Sequence, residues 1–265
     1  MRMKLKDFIN IMEEIAPLKF KESYDNVGLM VGDEEGEITK VLVALDCTKT
    51  VIDEAKEKGA EIILTHHPLL FRKPSSITEG TLQGEKIRAL IKNDIALYSS
   101  HTNWDTVKGG LNDEFVAYLG FNSGEIIEKN PFGEGAGIGR MVYLEKGERL
   151  STLAAAVKEK LRVPTVRVAG DLNKIINSIA LINGSGEDFF EKAFEKKADL
   201  VITGDTTYHF ASDYSEMGMA ILDVGHFNSE WPIFVSLVKA LEKKVTNFGV
   251  KVIISEVVKD PYEYV

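Results

Sequence analysis

The stretch Glu-Ile-Ile-Leu-Thr-His-His-Pro-Leu-Leu-Phe, residues 61–71, decides the fold class. Its branched apolar run at 62–64 predicts a buried strand of a parallel sheet, which Pro68 stops. His66 and His67 therefore follow the carboxyl end of a strand, where open α/β sheets bind their ligands. Two imidazoles at this position are candidate metal ligands. The alternative is one packed histidine and one solvated turn histidine.

The histidines of the chain are clustered with respect to the predicted strands. The five stand at positions 66, 67, 101, 209 and 226, and each follows a predicted strand or opens the helix after one. Histidines with purely structural roles would be scattered more evenly. The clustering therefore favours a site at the carboxyl ends of the strands.

Composition narrows the class of protein. The 265 residues are 44% apolar and 28% charged, which suits a globular chain of one large domain or two smaller ones. The net charge of −9 argues against nucleic acid or an anionic membrane surface as a partner. No apolar stretch is long enough to span a membrane, the first residues lack the apolar core of a signal peptide, and Cys47 is the single cysteine. We therefore expect a cytoplasmic protein without disulfides.

Strands and helices alternate along the chain, which predicts an α/β fold with mixed or parallel sheets flanked by helices. A glycine-rich segment at 121–139 indicates a domain boundary. We predict one domain from residues 1–126 and 219–265, carrying most candidate ligands, and a second from 127–218. The predicted strands are 41–45, 61–65, 95–99, 141–144, 165–169, 178–183, 200–203, 219–224 and 250–256. The predicted helices are 4–16, 48–59, one ending at 93, 111–119, 151–161, 187–197, 209–217 and 229–243.

A faint internal repeat relates residues 43–65 to residues 181–203 when the two segments are aligned without gaps. Both segments consist of a strand, a turn, a helix and an apolar triplet before a threonine. The repeat predicts two related α/β halves facing one another, with His66 and Gly204 in equivalent positions. A cleft between such halves would hold the site.

A second candidate site is Asp-Val-Gly-His-Phe-Asn-Ser-Glu, residues 223–230. A predicted strand ends there in a glycine turn, and His226 and Glu230 follow four residues apart. If a helix begins near residue 227 or 228, both side chains fall on one side of its first turn and reach one ion. The alternative for Glu230 alone is a carboxylate that compensates the helix dipole.

A third candidate is Asp105, four residues after His101 in Ser-His-Thr-Asn-Trp-Asp, residues 100–105. The combined candidate ligands are three imidazoles and two carboxylates: His66, His67, Asp105, His226 and Glu230. This mixture suits Zn²⁺, Fe²⁺, Mn²⁺, Co²⁺ or Ni²⁺ and is poor for Ca²⁺ or Mg²⁺. Five ligands exceed what one open catalytic zinc needs, so we expect two ions about 3.5–4 Å apart. Neighbouring side chains leave a strand on opposite sides, which would direct His66 and His67 to different ions.

Five motifs across nearly the whole chain resemble the NIF-three-like family, whose members are often described as GTP cyclohydrolase I type II homologues. The motifs are Tyr-Asp-Asn-Val-Gly-Leu (24–29), Thr-His-His-Pro-Leu (65–69), Ser-His-Thr-Asn-Trp-Asp (100–105), Thr-Gly-Asp-x-x-Tyr-His (203–209) and Gly-His-Phe-x-x-Glu (225–230). The resemblance implies a toroidal homohexamer of two-domain α/β subunits, with dinuclear metal sites facing its interior.

The resemblance also implies roles for individual residues. His67 and Asp105 would bind one metal, His66 and His226 would bind the other, and Glu230 would bridge the two. His101 and His209 match family histidines near the metals, which implies that they are catalytic, moving protons or contacting substrate. The chain differs from some relatives in being too short for their inserted middle domain. It also has Trp104 where many relatives have a smaller apolar residue.

These ligands favour a metal-dependent hydrolase in which a metal-activated water attacks a carbon or phosphorus centre. His101 or His209 would act as general acid or base, and the substrate would be a small nucleotide-like molecule or cyclic amide. ATPase chemistry is disfavoured because the chain has no Walker-type loop. The alternative function is a non-enzymatic metal-binding, metal-insertion or scaffold protein. A ring around nucleic acid is disfavoured by the acidic charge.

Overall fold

The computed structural model describes residues 3–122 and 124–264. The described chain forms two compact units, which we call unit 1 and unit 2. Unit 1 contains the described residues up to Trp104 together with Phe234–Lys259, and unit 2 contains those of Asp105–Ile233 together with residues 260–264.

The strands are β1 (Met3–Lys4), β2 (Gly28–Val31), β3 (Glu37–Ile38), β4 (Lys40–Ala44), β5 (Ile62–Thr65), β6 (Ala96–Ser99), β7 (Glu125–Lys129), β8 (Gly137–Arg149), β9 (Arg167–Ala169), β10 (Ile175–Ser185), β11 (Leu200–Gly204), β12 (Ala220–Asp223) and β13 (Lys251–Ile254). The α-helices are α1 (Leu5–Ile15), α2 (Lys49–Lys58), α3 (Leu82–Lys92), α4 (Thr102–Thr106), α5 (Leu111–Tyr118), α6 (Leu150–Leu161), α7 (Phe190–Glu195), α8 (Tyr208–Glu216) and α9 (His226–Val245). Short 3₁₀ helices span Leu18–Phe20, Glu187–Phe189 and Thr246–Phe248.

Unit 1 contains a five-stranded sheet in the order β13-β4-β5-β6-β2. The first four strands are parallel, and β2 pairs antiparallel with β6 at the edge. Side chains alternate between the two faces of the sheet. Leu97 joins the buried cluster formed with α2 and α3, whereas the ring of Tyr98 packs edge-on against Phe8 of α1. The central strands are thus buried on both faces, as the apolar run at 62–64 predicts.

Local signals set the helix ends that position the first candidate ligands. The side chain of Thr48 accepts a hydrogen bond from the backbone N–H of Val51, which caps the start of α2. Gly59 ends α2 in the left-handed conformation, at φ +63°, which glycine adopts without a steric penalty. The chain then turns directly into β5, so His66 and His67 emerge at the carboxyl edge of the sheet.

Unit 2 contains a six-stranded mixed sheet in the order β7-β8-β10-β11-β12-β9. Its centre is the parallel set β10, β11 and β12, and the other neighbours pair antiparallel. Ala180, Val201 and Ile221 of the parallel strands pack with Phe190 of α7 in one buried cluster. Both units therefore confirm the predicted α/β class with mixed sheets.

The structure bears out the internal repeat at the level of strand register. In unit 1, Val43 pairs with Leu64 across the parallel strands β4 and β5. The residues aligned with them, Leu181 and Ile202, pair across β10 and β11. Each unit then adds a further parallel strand, β6 or β12, followed by an antiparallel edge strand, β2 or β9.

The compact units divide the chain differently from the predicted domains. Strand β12, which the prediction placed with residues 1–126, pairs with β11 in the sheet of unit 2. Helix α5 likewise contacts β8 and β10 of unit 2. The glycine-rich segment taken as a boundary lies inside unit 2, because it contains β7, whose pairing with β8 starts that sheet.

Membrane-spanning helices are absent from the described chain. Among residues 3–122 and 124–264, no helix combines the length and the apolar character needed to cross a bilayer.

Candidate metal centre

The two adjacent histidines of unit 1 lie just beyond β5. His66 is fully buried, and its Nδ1 donates a hydrogen bond to the carbonyl oxygen of Ser100, at 2.9 Å. His67 is partly exposed, and its Nδ1 donates to Oδ1 of Asp46, also at 2.9 Å. Because the strand ends at Thr65, strand alternation no longer separates the two rings, whose centroids are 5.2 Å apart.

His101 joins these two histidines in unit 1. Its ring centroid lies 5.1 Å from that of His66 and 5.6 Å from that of His67. Each of the three histidines offers a ligand atom, and the three atoms all lie within 4.8 Å of one another. Two nitrogens bound to one zinc ion at about 2.1 Å are separated by at most about 4.2 Å. The three ligand atoms are therefore close enough to belong to one metal centre.

Asp25, in the loop before β2, holds His101 in place. Its Oδ2 accepts hydrogen bonds from Nδ1 of His101 at 3.0 Å, from the backbone N–H of Thr102 at 3.1 Å and from the hydroxyl of Thr102 at 2.5 Å. Burial alone would raise the pKa of Asp25, but the hydrogen bonds and charge of His101 and the hydrogen bonds of Thr102 together lower it to about 2. Asp25 is therefore an ionised carboxylate at neutral pH.

Unit 2 places His226 and Glu230 together as the four-residue spacing predicts. Helix α9 begins at His226, and Nε2 of His226 lies 2.9 Å from Oε2 of Glu230 one turn later. The other ring nitrogen of His226, Nδ1, donates to Oδ2 of Asp205 at 2.8 Å. Glu230 is buried, at 3% exposure. A carboxylate and an imidazole nitrogen thus converge at the start of α9.

Two glycines make room for this pair. A Cβ on Gly184 would lie only 2.3 Å from Oε1 of Glu230, and a Cβ on Gly204 would lie 2.6 Å from the backbone nitrogen of His226. Gly184 also has a positive φ of +61°, a conformation that favours glycine. Any side chain at either position would displace the start of α9 or the carboxylate of Glu230.

The other two predicted site residues of unit 2 are Asp105 and His209. Asp105 is buried, and its Oδ1 accepts a hydrogen bond from the side-chain amide of Asn183 at 2.8 Å. His209 is exposed near the start of α8, where its ring lies 5.4 Å from that of Tyr208. Within residues 3–122 and 124–264, His209 belongs to none of the side-chain groups that could hold a metal ion.

One pattern unites four of the five histidines. In His66, His67, His101 and His226, Nδ1 donates to an oxygen, and in three of the four that oxygen is an aspartate carboxylate. In His66, His67 and His101 this contact places a ring proton on Nδ1, whereas His226 has a carboxylate at each ring nitrogen, Asp205 at Nδ1 and Glu230 at Nε2. Metal-binding histidines typically have this outer carboxylate or carbonyl partner, which orients the ring and raises its basicity. The donor set therefore fits a divalent transition metal.

The three aspartate partners were not among the predicted site residues. Asp46 lies two residues after the end of β4, Asp25 lies in the Tyr-Asp-Asn motif and Asp205 lies in the Thr-Gly-Asp motif. Their position near strand ends and in motifs could have marked them as candidates. Their pairing with histidines could not be predicted, because the partners are distant in the sequence; Asp25 and His101, for example, are 76 residues apart.

The fold and these side chains define a class: a two-unit α/β protein that carries histidine-rich candidate metal ligands beyond the carboxyl ends of its strands. The chain belongs to the Duf34/NIF3 (NGG1p interacting factor 3) family, whose model matches residues 3–261.

Relatives resemble the chain over its whole length. It is 59% identical to a Clostridium perfringens protein named GTP cyclohydrolase 1 type 2 homolog, covering 99% of this chain and 100% of that one. A Clostridium acetobutylicum protein of the same name is 49% identical over all of both chains. The crystal structure of the Staphylococcus aureus hypothetical protein SA1388 matches with a TM-score of 0.90 and 31% identity, covering 100% of each chain.

Proposed function

We propose that the protein binds two divalent transition-metal ions and is a metal-dependent hydrolase acting on a small nucleotide-like or cyclic-amide substrate. The observation that carries the proposal is the shared contact of Nδ1 in His66, His67, His101 and His226 with an oxygen acceptor. Four imidazoles that are each oriented by an oxygen at Nδ1, all beyond strand ends, are expected of ligands and not of histidines that merely fill a core.

The proposed assignment of the ligands follows the sequence motifs. His67 and Asp105 would hold one ion, His66 and His226 would hold the other, and Glu230 would be the ligand shared by both. The second proposed ion is supported in unit 2 by the 2.9 Å separation of His226 Nε2 and Glu230 Oε2. Nitrogen and carboxylate donors without a thiolate suit Zn²⁺, Fe²⁺, Mn²⁺, Co²⁺ or Ni²⁺.

The protein side chains supply proton transfer and orientation. A bound divalent metal lowers the pKa of water and polarises a carbonyl or phosphoryl oxygen. His101 is the proposed proton carrier, because ionised Asp25 holds its Nδ1–H and so directs the basic Nε2 away from that carboxylate. His209, exposed at the start of α8, is proposed to contact the substrate. The name of the Clostridium perfringens relative, GTP cyclohydrolase 1 type 2 homolog, supports a nucleotide-like substrate class.

Two further proposals concern the assembly and its location. We propose a homohexamer acting in the cytoplasm, both expected from the sequence motifs and the single cysteine. Sedimentation equilibrium of the untagged protein tests the first of these, and a monomer or dimer at micromolar concentration contradicts it. Fractionation of the source cells tests the second.

The decisive experiment measures metal content and hydrolysis on the same preparations. Protein purified without an affinity tag is analysed for bound metals and tested against cyclic and phosphorylated metabolites. Asp105→Ala is expected to lose one ion and abolish hydrolysis even in excess metal. Asp53→Ala, which removes an exposed aspartate from α2, is the matched control and is expected to change neither.

The outcomes separate the two classes of function. If wild-type protein binds no divalent metal, the proposal is wrong in both its parts. If it binds two ions, hydrolyses nothing and keeps its assembly in Asp105→Ala, the non-enzymatic metal-binding or scaffold alternative replaces the hydrolase.

A further inference from the structure

Two exposed aromatic rings lie beside the histidine group of unit 1. Tyr24 is 61% exposed and Phe71 is 45% exposed, and their ring centroids are 6.3 Å apart in an edge-on arrangement. The ring of Phe71 is in turn 6.5 Å from that of His101. Large aromatic side chains usually gain free energy by burial, so an exposed pair beside a candidate reaction centre calls for a ligand.

These two rings are the outer end of a continuous series of ring contacts. The series runs from Phe71 through His101 to His66, and His66 contacts Phe234, which contacts buried Trp104. Exposure falls along it, from the surface pair to a core that is 1% exposed at Trp104. Trp104 is therefore buried beneath the histidines and does not block access to Tyr24 and Phe71.

The backbone on both sides of the pair is anchored. The side-chain amide of Asn26 donates to the carbonyl oxygen of Leu70 at 2.7 Å, which ties the Tyr24 segment to the Phe71 segment. The amide of Gln83 donates to the carbonyl oxygens of Leu69 and Arg72, at 2.9 and 3.2 Å. The pair thus forms a preorganised corner, which reduces the entropy lost when a ligand binds.

Positive charge adjoins the corner. Arg72 and Lys73 directly follow Phe71 and are both exposed, in a chain whose net charge is −9. A ligand with a planar ring and an anionic group could therefore contact the two aromatic side chains with its ring and the two cations with its anionic group. Aromatic rings favour offset-stacked or edge-to-face contact with a third ring, and Arg favours bidentate contact with phosphate.

We propose that Tyr24 and Phe71 are specificity-determining residues that bind the planar heteroaromatic ring of a phosphorylated substrate beside His101. This inference rests on the proposed hydrolase function and names the feature of the substrate that the site selects. Asn26 is a positioning residue, since it acts through Leu70 and holds the two aromatic segments together.

The test compares two probes that share a phosphate and differ in the ring. Binding of guanosine 5′-monophosphate and of ribose 5-phosphate is measured by titration calorimetry, on the protein as purified and after metal loading. Wild-type protein is expected to bind the nucleotide at least about tenfold more tightly. Phe71→Leu and Tyr24→Leu are each expected to weaken nucleotide binding about tenfold and to leave ribose 5-phosphate binding and metal content unchanged.

Phe248→Leu is the matched control. Phe248 is also exposed, at 52%, and lies in unit 1 in the 3₁₀ helix after α9, so its replacement should leave both affinities unchanged. Equal binding of the two probes by wild-type protein overturns the inference, as does undiminished nucleotide binding by Phe71→Leu. If Phe71→Leu loses metal, the ring of Phe71 holds His101 in position and does not bind the substrate. If Phe71→Leu changes the oligomeric state and keeps its nucleotide affinity, the ring belongs to a subunit contact. Either result overturns the inference.

Failure of this inference and failure of the proposed function give different results. If wild-type protein carries no metal yet discriminates the probes through Phe71 and Tyr24, the hydrolase proposal fails and the ring site stands. If it carries two ions and hydrolyses a substrate with equal efficiency in Phe71→Leu, the hydrolase proposal stands and the ring site fails.

Discussion

Gly184→Ala tests whether the position of Glu230 controls metal binding. The new Cβ would lie 2.3 Å from Oε1 of Glu230 and 3.6 Å from Cε1 of His226. Ordinary van der Waals contact begins at 3.4 Å, so the carboxylate oxygen must withdraw by about 1 Å. A metal ligand has to be held within about 0.5 Å of its productive position. The substitution should therefore displace Glu230 beyond that tolerance.

The stability cost of Gly184→Ala should be modest, because the atom in the way ends a flexible side chain. The left-handed backbone at φ +61° costs an alanine about 1–2 kcal/mol relative to glycine. Gly218→Ala is the matched control, since Gly218 has a positive φ of +93° in the same unit and nothing within 4 Å of its Cβ position. Both variants should lose comparable stability, and Gly184→Ala alone should lose metal affinity, by at least about tenfold.

The assay pairs urea unfolding of metal-free protein with a metal titration in a competing chelator. We expect similar unfolding midpoints for the two variants and a weaker metal affinity for Gly184→Ala alone. Identical metal affinities in Gly184→Ala and Gly218→Ala would refute the inference that Glu230 is a ligand held in place by Gly184. A large extra loss of stability in metal-free Gly184→Ala would show that Glu230 has a structural role instead.

Three further predictions follow from the described contacts. Removal of metal by a chelator should lower the melting temperature, and a metal at 100 times its Kd should restore about 2.7 kcal/mol per site, as followed by calorimetry. Burial tends to raise the pKa of Glu54, but hydrogen bonds from Ser255, the backbone of Glu256 and Lys58 lower it overall. Glu54 should thus stabilise the fold above pH 4.5 and lose that effect as the pH falls through its folded pKa. In urea unfolding, Glu54→Gln should lower the free energy of unfolding by about 1–3 kcal/mol at pH 7 and by less at pH 3. Glu57→Gln, at an exposed position of the same helix, is the control. Burial raises the pKa of Cys47 to about 12, so a thiol reagent at pH 8 should modify it only in denaturant, and rapid labelling of native protein would contradict its burial.

The parts of the fold that the sequence could predict are those with strong local patterns. Strand β5 and its two histidines follow from an apolar run bounded by proline, and the predicted helix 48–59 corresponds to α2, Lys49–Lys58. Strand β7 was missed because its sequence, Glu-Ile-Ile-Glu-Lys, has one buried residue, Ile127, in a glycine-rich context. An exposed edge strand of this kind is defined by its pairing with β8, which no local pattern reveals.

Local sequence patterns likewise reveal some residues of the candidate site and not others. His66, His67, His226 and Glu230 could be singled out because two adjacent histidines after a strand, and a histidine and a glutamate four residues apart after another, are uncommon patterns. Their outer partners could not, because an aspartate after a strand is common and becomes significant only when a distant histidine reaches it. His101 shows the same limit: its sequence motif suggested a proton carrier, and only the folded chain brings its ligand atom within 4.8 Å of those of His66 and His67.

The internal repeat accounts for the strand order that the two units share, and the packing around Gly204 accounts for their different candidate ligands. His66 and Gly204 occupy equivalent positions, each directly after a threonine that pairs with the next parallel strand. In unit 1 this position is a buried histidine. In unit 2 a Cβ there would lie 2.6 Å from the backbone nitrogen of His226, so the position has to be glycine for α9 to begin where it does. The candidate ligand of unit 1 thus directly follows a strand, whereas that of unit 2 lies at the start of α9, after the next strand, β12. A repeat in strand register accordingly predicts which edge of a sheet carries the site, whereas the side chains that bind must be identified separately in each unit.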